Sequence, residues 1–404
     1  MIHLLAVSQV VLVIKNIHAD CQQKSILRQF ATCIIYLMRM LWFNWRDFRN
    51  PEAGGAEVYT HEVMKRFAMR GHEMTLFTSR FKDCQLNENI DGVDIIREGN
   101  KYTVYRKAKN YLTAYKHHYD IIIDEINTRP FFIPKFAGEK QIVAVIHQLA
   151  REFWFYETKF PLNYIGYYYL EEKWLSNYKD TITLALSKST KVDLEGLGFK
   201  RVFVVPPGLN IAPLSYIKEK EPNPTVVFIG RLKKAKLPDH ALKAFSIIKR
   251  EIHDAKMWII GDGYFRKKLQ SSERKDVTFY GKVSNEKKFE LLSRAHIILV
   301  PAVREGWGLI VTEANAMGTP AIGYDVPGLR DSIMHDKTGI TVVEKTPAAM
   351  AQQAISLLRD SDRLFKYSRN ALEFSKQFSW DNTADLFEKI LNNQSGSNAH
   401  PVTT

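Results

Sequence analysis

The chain has 404 residues, of which 45% are hydrophobic and 25% charged, and its formal net charge is +13. This length suggests two domains, and the composition excludes a disordered or low-complexity chain. Three cysteines without metal spacing exclude a disulfide framework and favour a reducing cytosol, while the positive charge predicts anionic partners such as nucleic acid, a membrane surface or phosphorylated small molecules.

The first 37 residues differ in pattern from the rest of the chain. Their apolar runs, Leu4–Ile14 and Ile34–Phe43, are each interrupted by a polar residue and are shorter than the roughly 18 apolar residues of a spanning helix. The first run also lacks the basic leader of a secretory signal. A strand-like segment, Met38–Asn44, would open an α/β domain. We therefore predict an extension over residues 1–37, either from an upstream start codon or as a membrane-touching anchor.

Short apolar runs then alternate with amphipathic helical stretches, which is typical of parallel βαβ units. The first series of predicted strands is Met40–Asn44, Glu73–Thr78, Val93–Arg97, Ile121–Asp124, Ile142–His147, Thr181–Ser187 and Val202–Pro206. The second series is Val226–Gly230, Lys256–Gly261, Val277–Tyr280, Ile297–Pro301 and Ala321–Tyr324. A helix is predicted from Ala56 to Arg70, with Tyr59, Val63 and Phe67 on one face and Gly71 as its cap.

Two successive series predict two doubly wound domains. Pro206–Asn210 and the charged, proline-containing segment 218–224 have the composition of a hinge and linker. The predicted divisions are a first domain at 38–207, a second domain at 208–377, a C-terminal helix at about 378–393 that joins the first domain, and a flexible tail at 394–404. Ligands bind beyond the carboxyl ends of strands in such sheets, so we expect a cleft between the domains.

Two acids, Glu305 and Glu313, flank a predicted turn from a strand into a helix. Gly306 and Gly308 lie where the helix begins, and the free amides and the helix dipole there favour an anion such as a diphosphate. Helical rise separates the two carboxylates by about 10 Å, whereas retaining glycosidases need about 5 Å and inverting ones somewhat under about 10 Å, with both acids facing one bond. The acids therefore fit two contact points along a nucleotide sugar, because a carboxylate can accept hydrogen bonds from vicinal hydroxyls. The alternative is a helix cap at Glu305 and a surface salt bridge at Glu313.

The string EGWGLIVTEANAMGTP, residues 305–320, resembles the signature of the group 1 retaining nucleotide-sugar glycosyltransferases, the family 4 type with a GT-B fold. The resemblance covers residues 38–390 and implies an α/β chain of two Rossmann-like domains facing across a cleft. Val226–Leu232 followed by Lys236 resembles the family's GRL...K element. There the matching Arg231 and Lys236 would clamp the donor diphosphate, which suits a guanidinium fork and an ammonium point charge. In isolation, this stretch would be a solvated basic loop.

The resemblance continues in two glycine turns. Ile260–Gly263 is similar to a turn near the nucleotide base, which implies donor contacts at Gly261 and Gly263. Asn50–Glu57 is similar to the family's glycine loop, which implies that Gly54 and Gly55 face the donor phosphates. The dipole of the following helix independently favours an acid at Glu57. In the signature itself, the implied donor-binding residues are Gly306, Trp307, Gly308, Leu309 and Glu313.

His147 ends a predicted strand, at a position like the family's cleft histidine that hydrogen-bonds the transferred sugar. A structural histidine is the equal alternative. The implied reaction moves a hexose from a nucleoside-diphosphate sugar to an acceptor hydroxyl with retention of configuration, and the implied catalytic residues are Glu305, His147, Arg231 and Lys236. The family needs no cofactor, and the sequence has no DxD-like metal clamp. Ala302 departs from the serine of many relatives, which removes one hydroxyl contact.

The acceptor side is rich in aromatic residues, in Arg151–Tyr156 and Tyr164–Tyr169, and a basic span lies at 101–116. These segments would suit an anionic membrane or a lipid-phosphate acceptor, or else the aromatics pack in a core beneath solvated lysines. We predict a cytoplasmic protein with possible peripheral contact at the inner membrane surface. Its expected partners are the sugar donor and a glycan, lipid or small-molecule acceptor, without nucleic acid.

The residues leave three other interpretations of the function open. A sugar-nucleotide epimerase of the same fold would change a free sugar without an acceptor. A basic nucleic-acid-binding protein would need a groove-reading or stacking motif, which the sequence does not assemble. An inactive scaffold would not need the intact set of two cations and two acids. The donor base, the hexose, the acceptor and the oligomeric state are not determined by the sequence.

Overall fold

The computed structural model describes residues 37–270 and 275–395. The predicted extension at 1–37 and the predicted tail at 394–404 fall almost wholly outside these residues. Every element below belongs to the unit Arg39–Thr404. No helix within the described residues has the length and apolarity needed to cross a membrane.

The first sheet has eight strands, and neighbouring strands run parallel except at one edge. Its strands are β1 Arg39–Phe43, β2 Glu73–Thr78, β3 Asn87–Ile90, β4 Val93–Arg97, β5 Ile121–Ile126, β6 Gln141–Ile146, β7 Ile182–Ala185 and β8 Val202–Val204. They lie in the order β3-β4-β2-β1-β5-β6-β7-β8, and only the β3–β4 pair is antiparallel. The first domain is therefore a doubly wound sheet whose first strand lies near its centre.

The second sheet has six strands, all parallel to their neighbours. Its strands are β9 Thr225–Ile229, β10 Lys256–Ile260, β11 Val277–Gly281, β12 Ile297–Val300, β13 Ala321–Tyr324 and β14 Gly339–Val342. They lie in the order β11-β10-β9-β12-β13-β14. The order reverses between β9 and β12, which is the kind of switch point where ligands bind in such sheets.

Helices cover the two sheets and connect their strands. In the first domain they are α1 Gly55–Met69, α2 Val104–Tyr115, α3 Phe153–Glu157, α4 Leu162–Ile165, α5 Glu171–Leu175 and α6 Lys188–Gly196, with a π-helical turn at Gly166–Leu170. In the second they are α7 Pro238–Glu251, α8 Arg266–Gln270, α9 Asn285–Arg294, α10 Leu309–Ala316, α11 Leu329–Ser332, α12 Pro347–Arg359 and α13 Ser361–Ser375. A last helix, α14 Trp380–Ser395, follows the second domain in the chain.

Helix α1 illustrates how the sequence dictates an element. Tyr59, Val63 and Phe67 are fully buried on one stripe, as the helical spacing requires. At its start the Glu57 carboxylate accepts a hydrogen bond of 2.7 Å from the Gly54 backbone, which satisfies an otherwise free amide. At its end Gly71 adopts a left-handed φ of 94°. The predicted bounds of this helix differ from the observed ones by one residue at each end.

Helix α14 packs on the first domain although it follows the second domain in the chain. The fully buried Phe387 ring lies 5.6 Å from the Trp42 ring and 5.4 Å from the Phe67 ring. Arg66 also donates a hydrogen bond of 2.7 Å to Asp381. The chain therefore crosses between the domains twice. At these crossings the Trp380 indole donates a hydrogen bond of 2.6 Å to Asn210 of the predicted hinge.

Candidate active site

Loops from the carboxyl ends of both sheets meet between the domains. A Cβ atom at Gly54 would lie 3.5 Å from Nη2 of Arg231, and one at Gly55 would lie 2.8 Å from the Leu309 side chain. A Cβ atom at Gly306 would lie 2.5 Å from the His147 carbonyl oxygen. The structure thus brings predicted site residues from the two halves of the sequence into one place.

The turn from β12 into α10 has the backbone geometry that its glycines predict. Gly308 has a φ of 88°, a left-handed value that a residue with a side chain rarely adopts, and α10 begins at the next residue. Gly306 allows the turn to approach the His147 carbonyl closely. Free backbone amides at the start of α10 therefore lie in the loop that faces the first domain.

Glu305 and Lys236 form an ion pair in this loop region. Lys236 ends a 3-10 turn, Lys234–Lys236, and its Nζ donates to Oε1 of Glu305. Both side chains are largely but not fully buried, with exposed fractions of 25% for Lys236 and 13% for Glu305. The Glu305 carboxylate therefore pairs with a cation of the neighbouring loop, and the predicted alternative of a helix cap at this residue is not what the structure shows.

The same basic loop carries a cation, Arg231, that pairs with no acid among the described residues. Arg231 is exposed, and its guanidinium has no hydrogen-bond or ion-pair partner among the described residues. Burial, and then the nearby charge of Arg231, lower the pKa of Lys233. Since like charges are held together here, an anion bound in the loop would relieve their repulsion. Lys233 was not predicted as a site residue.

Glu313 faces inward from helix α10 and pairs with Lys288 of α9. Lys288 Nζ donates a hydrogen bond of 2.8 Å to Glu313 Oε1, and only 9% of Glu313 is exposed. Burial raises the pKa of Glu313, and the Lys288 charge opposes that rise. The predicted alternative of a salt bridge at Glu313 is thus present, but the pair is buried and not at the surface.

His147 is held by a carboxylate that we did not predict from the sequence. It follows β6, is 7% exposed, and its Nε2 lies 2.9 Å from Oε1 of Glu125 in β5. The Tyr59 ring lies edge-on to the imidazole at 5.3 Å. A signal was present in the sequence, because Asp124 and Glu125 are two acids in the otherwise apolar strand IIIDEI, which is unusual for a buried strand.

Three other predicted donor residues lie beside their expected elements. Gly261 follows β10 and lies against the Gly230 backbone, and a Cβ atom at Gly263 would lie 2.5 Å from the Leu232 carbonyl oxygen. Trp307 is buried, with its ring 5.3 Å from the Phe378 ring. The Trp307 ring therefore packs against Phe378, and the donor contact predicted for this residue stays a prediction.

Polar contacts between the domains surround the site. Arg304 is 6% exposed and donates hydrogen bonds of 2.8 Å to Glu152 and 2.6 Å to Asp193, both in the first domain. Glu157 of α3 accepts a hydrogen bond of 3.1 Å from the Ala235 backbone in the basic loop. The two halves of the site are therefore held together by side chains that the sequence pattern did not reveal.

The aromatic region divides between packing and exposure. Tyr178 is fully buried, and its hydroxyl donates to the Asp124 carboxylate. By contrast, α3, α4 and the π-helical turn present an exposed set that we call the aromatic surface, namely Phe155, Tyr156, Phe160, Leu162, Tyr164, Ile165, Tyr168 and Tyr169. Phe160 is 79% and Tyr168 69% exposed. The alternative of aromatics packed in a core thus holds for Tyr178 but not for this surface.

Two doubly wound domains with facing loops define the GT-B class of fold, and the comparisons with known proteins agree. Residues 216–374 match the family described as glycosyl transferases group 1. Residues 53–212 match the family described as Glycosyltransferase Family 4. The chain belongs to the group 1 glycosyltransferases, which the resemblance of its signature predicted.

Individual proteins are similar to parts or most of the chain. D-inositol 3-phosphate glycosyltransferase of Nocardia farcinica is 30% identical over 48% of this chain and 48% of its own length. The chain thus spans about half the length of the curated relatives that it matches.

Solved structures confirm the fold. Sucrose-phosphate synthase from Thermosynechococcus elongatus is 18% identical with a TM-score of 0.73, covering 89% of this chain and 100% of that one. HepE from Anabaena, solved in complex with UDP-glucose, is 15% identical with a TM-score of 0.66, covering 89% and 100%. At these identities the likeness concerns the fold alone.

Proposed function

We propose that the protein is a glycosyltransferase that moves a hexose from a nucleoside-diphosphate sugar to an acceptor hydroxyl, with retention of configuration and without a metal. The observation that carries the proposal is the meeting of Arg231, the Lys236–Glu305 pair and the amides at the start of α10 at the contact between the two domains. A nucleotide sugar offers a matching series of groups, which are a ribose, a diphosphate and a hexose. The D-inositol 3-phosphate glycosyltransferase relative and the UDP-glucose complex of HepE make this donor class reasonable.

The diphosphate would bind at the basic loop. Arg231 has no described partner, and Lys236 has only Glu305, so both cations are available to phosphate oxygens. A guanidinium binds phosphate in a bidentate manner, and the amides at the start of α10 add donors without a net charge. Together they would stabilise the negative charge that develops on the departing diphosphate, which is the main demand of the reaction.

The two acids would then hold the sugars on either side of the diphosphate. Glu305 would exchange its lysine partner for hydroxyls of the hexose, and Glu313 would accept hydrogen bonds from the ribose. His147 would contact the transferred sugar from the first domain. In a same-face transfer the acceptor hydroxyl forms a bond to the anomeric carbon as the bond to the diphosphate breaks, and the diphosphate oxygen receives the hydroxyl proton. The protein contributes position and charge to this step.

Thermal-shift screening against UDP, GDP, ADP and their sugars tests the donor assignment. A ligand that binds only the folded state raises its stability with the logarithm of its concentration over the dissociation constant. We expect one nucleoside diphosphate to raise the melting temperature. Lys236→Ala should abolish most of that shift, because it removes a charge from the diphosphate contact, whereas Glu313→Ala should reduce it through the ribose.

The matched control is Lys243→Ala, which removes a 62% exposed lysine of α7 whose described ion pair is with Asp239 of the same helix. The shift should be unchanged in this variant. If no nucleotide stabilises the wild type, the donor assignment fails. Equal shifts in the wild type, Lys236→Ala and Glu313→Ala would contradict the roles given to these two residues.

Product analysis separates transfer from epimerisation, the alternative on the same fold. A transferase forms product only when an acceptor is present, and the anomeric proton coupling of that product reports whether configuration is retained. An epimerase would release a changed sugar without an acceptor. Neither this alternative nor nucleic-acid binding is favoured by the family to which the chain belongs.

We also propose a cytoplasmic location with peripheral contact at the inner membrane surface through the aromatic surface. Exposed tyrosine and phenylalanine side chains suit the boundary between lipid headgroups and acyl chains. A cation adjoins this surface, since Lys173 donates a hydrogen bond of 2.8 Å to the Tyr169 hydroxyl and its Nζ lies 4.9 Å from the centre of the Tyr169 ring. The partner that fits both features is an anionic lipid bilayer.

Vesicle sedimentation at low salt tests this contact. The wild type should sediment with vesicles that contain phosphatidylglycerol and less with pure phosphatidylcholine, and the double variant Phe160→Ser/Tyr168→Ser should lose the binding. Met69→Ser is the control, because it removes a 77% exposed apolar side chain outside the aromatic surface. A wild type that stays in the supernatant with both kinds of vesicle contradicts the proposal.

A further inference from the structure

Glu125 is a buried carboxylate at the junction of three elements that lead into the candidate active site. It is 1% exposed and lies in β5, one residue before the strand ends. Its neighbours come from β1, from α1 and from the residue after β6. No lysine or arginine among the described residues pairs with it. A buried carboxylate is costly unless hydrogen bonds satisfy it, so its partners indicate its role.

The two oxygens of Glu125 have different partners. Oε2 accepts a hydrogen bond of 2.8 Å from the Trp42 indole, which can only donate, and also contacts the Thr60 hydroxyl. Oε1 lies 2.9 Å from Nε2 of His147. With Oε2 accepting from Trp42, the arrangement in which Glu125 also accepts at Oε1 requires a proton on Nε2 of His147.

This proton assignment leaves the other ring nitrogen as an acceptor. In a neutral imidazole one nitrogen donates and the other accepts, so Nδ1 of His147 carries a lone pair. Nδ1 has no partner among the described residues. The ring cannot easily turn, because Tyr59 packs edge-on against it and the His147 carbonyl accepts a hydrogen bond of 3.3 Å from the Thr190 hydroxyl. The same carbonyl lies against Gly306 of the loop that faces the first domain.

We propose that Glu125 is a positioning residue, which holds His147 in the tautomer whose Nδ1 accepts a hydrogen bond from a hydroxyl of the transferred hexose. The inference rests on the proposed function for the sugar contact, and on the geometry alone for the tautomer. With the opposite tautomer, Nδ1 would carry a proton and could take only a hydroxyl oxygen as its partner. Glu125 thus determines which hydrogen-bonding role the site presents to the sugar, without touching the sugar itself.

Nitrogen NMR of the full chain without ligand reads the tautomer directly. The ¹⁵N chemical shifts of a neutral imidazole differ strongly between its protonated and unprotonated nitrogens, and the His147→Gln spectrum identifies the signals that belong to His147. We expect a protonated Nε2 and an unprotonated Nδ1. A wild type with a protonated Nδ1 overturns the proposal, and this measurement needs no Glu125 variant to fold.

Glu125→Gln is the variant that separates positioning from packing. Its amide oxygen can still accept from Trp42, which turns the amide NH₂ towards His147 and forces Nε2 to accept. The proton should then move to Nδ1. We expect UDP to bind within about twofold of its wild-type affinity, because UDP lacks the hexose. For UDP-glucose, or the sugar donor that the thermal screen selects, kcat/KM should fall by about 10- to 100-fold, mainly through kcat if the contact tightens during transfer.

Asp124→Asn is the matched control, because it neutralises the adjacent buried acid on the opposite face of the same strand. It should keep both the wild-type tautomer and the wild-type kcat/KM. A reversed tautomer in Glu125→Gln with unchanged turnover would overturn the sugar contact, and an unchanged tautomer would overturn the positioning role. Failure of the proposed function is distinct from these outcomes, since the wild type would then bind no nucleoside diphosphate whatever the NMR shows.

Discussion

Replacing Lys288 with methionine should weaken nucleotide binding although Lys288 itself need not touch the nucleotide. Methionine keeps most of the apolar stem and removes only the charge that faces Glu313. At the observed 2.8 Å, the attraction between the two charges is roughly 6 kcal/mol for an effective dielectric constant of about 20. Desolvation of the two groups cancels most of that attraction. A remaining 1.4–2.7 kcal/mol would correspond to an affinity loss of about 10- to 100-fold.

The direction of the Glu313 pKa shift determines how nucleotide affinity should change with pH. Burial already raises the pKa of Glu313, and loss of the Lys288 charge removes the main influence that opposes this rise. The ionised carboxylate is the form with full acceptor capacity for ribose hydroxyls, so affinity is highest above the pKa of Glu313 and is lost as the pH falls through it. In Lys288→Met the loss should therefore begin at a higher pH, and raising the pH should restore part of the affinity.

Calorimetric titration between pH 5 and pH 9 with the nucleoside diphosphate that the thermal screen selects measures both quantities, because each of these nucleotides carries the ribose. Lys287→Met is the control, since this neighbouring lysine of α9 is 42% exposed and pairs with the exposed Glu290. Lys288→Arg should retain near-wild-type binding. If Lys288→Met binds the nucleotide as the wild type does at every pH, the role assigned to the Lys288–Glu313 pair is wrong.

Two further predictions concern stability. Phe387→Ala should lower the free energy of unfolding by about 3–5 kcal/mol in urea titrations, since it removes a fully buried ring from Trp42 and Phe67. The control Leu386→Ala, at a 37% exposed position of the same helix, should lower it by under about 1 kcal/mol. Similar losses in the two variants would refute the packing of α14 on the first domain. Burial raises the pKa of Asp124 to about 6 from its ordinary 3.8, so the ionised form is disfavoured in the folded state. The stability of the wild type relative to Asp124→Asn should therefore fall by about 2.4 kcal/mol as the pH rises from 4 to 7. A constant difference between the two proteins across this range would contradict burial of the carboxyl.

Most of the parallel sheet could be predicted because its strands are short apolar runs. Strand β1 lies between two neighbours and is buried along Met40–Phe43, so its residues need no polar alternation. Two strands were not predicted from the sequence, each for a different reason. Asn87–Ile90, with the sequence NENI, is an exposed antiparallel edge strand without an apolar run, and Gly339–Val342 is short and begins with glycine. Both strands lie at the edge of a sheet, and each forms only by pairing with a neighbouring strand. The local sequence pattern contains no information about that pairing.

The site was predictable where function constrains the backbone. Gly306 and Gly308 occupy a close approach and a left-handed φ that local sequence can indicate. The partners of the charged residues were not predictable in the same way, because Lys288 lies 25 residues from Glu313 and Glu125 lies 22 from His147. Such pairs are created by the order of strands and helices in the fold. The packing partner of Trp307 was not predictable for a related reason, since Phe378 lies beyond the second domain's last strand.

The packing of α14 on α1 also bears on how the chain can fold as it is synthesised. Residues Trp380–Ser395 are made after both sheets, yet they cover Trp42 and Phe67 of the first. At ordinary translation rates, the first domain waits roughly tens of seconds between its own completion and the arrival of this helix. During that interval an apolar strip of the nascent domain faces solvent. The first domain therefore reaches its final packing only when the second has already been synthesised, which couples the folding of the two domains.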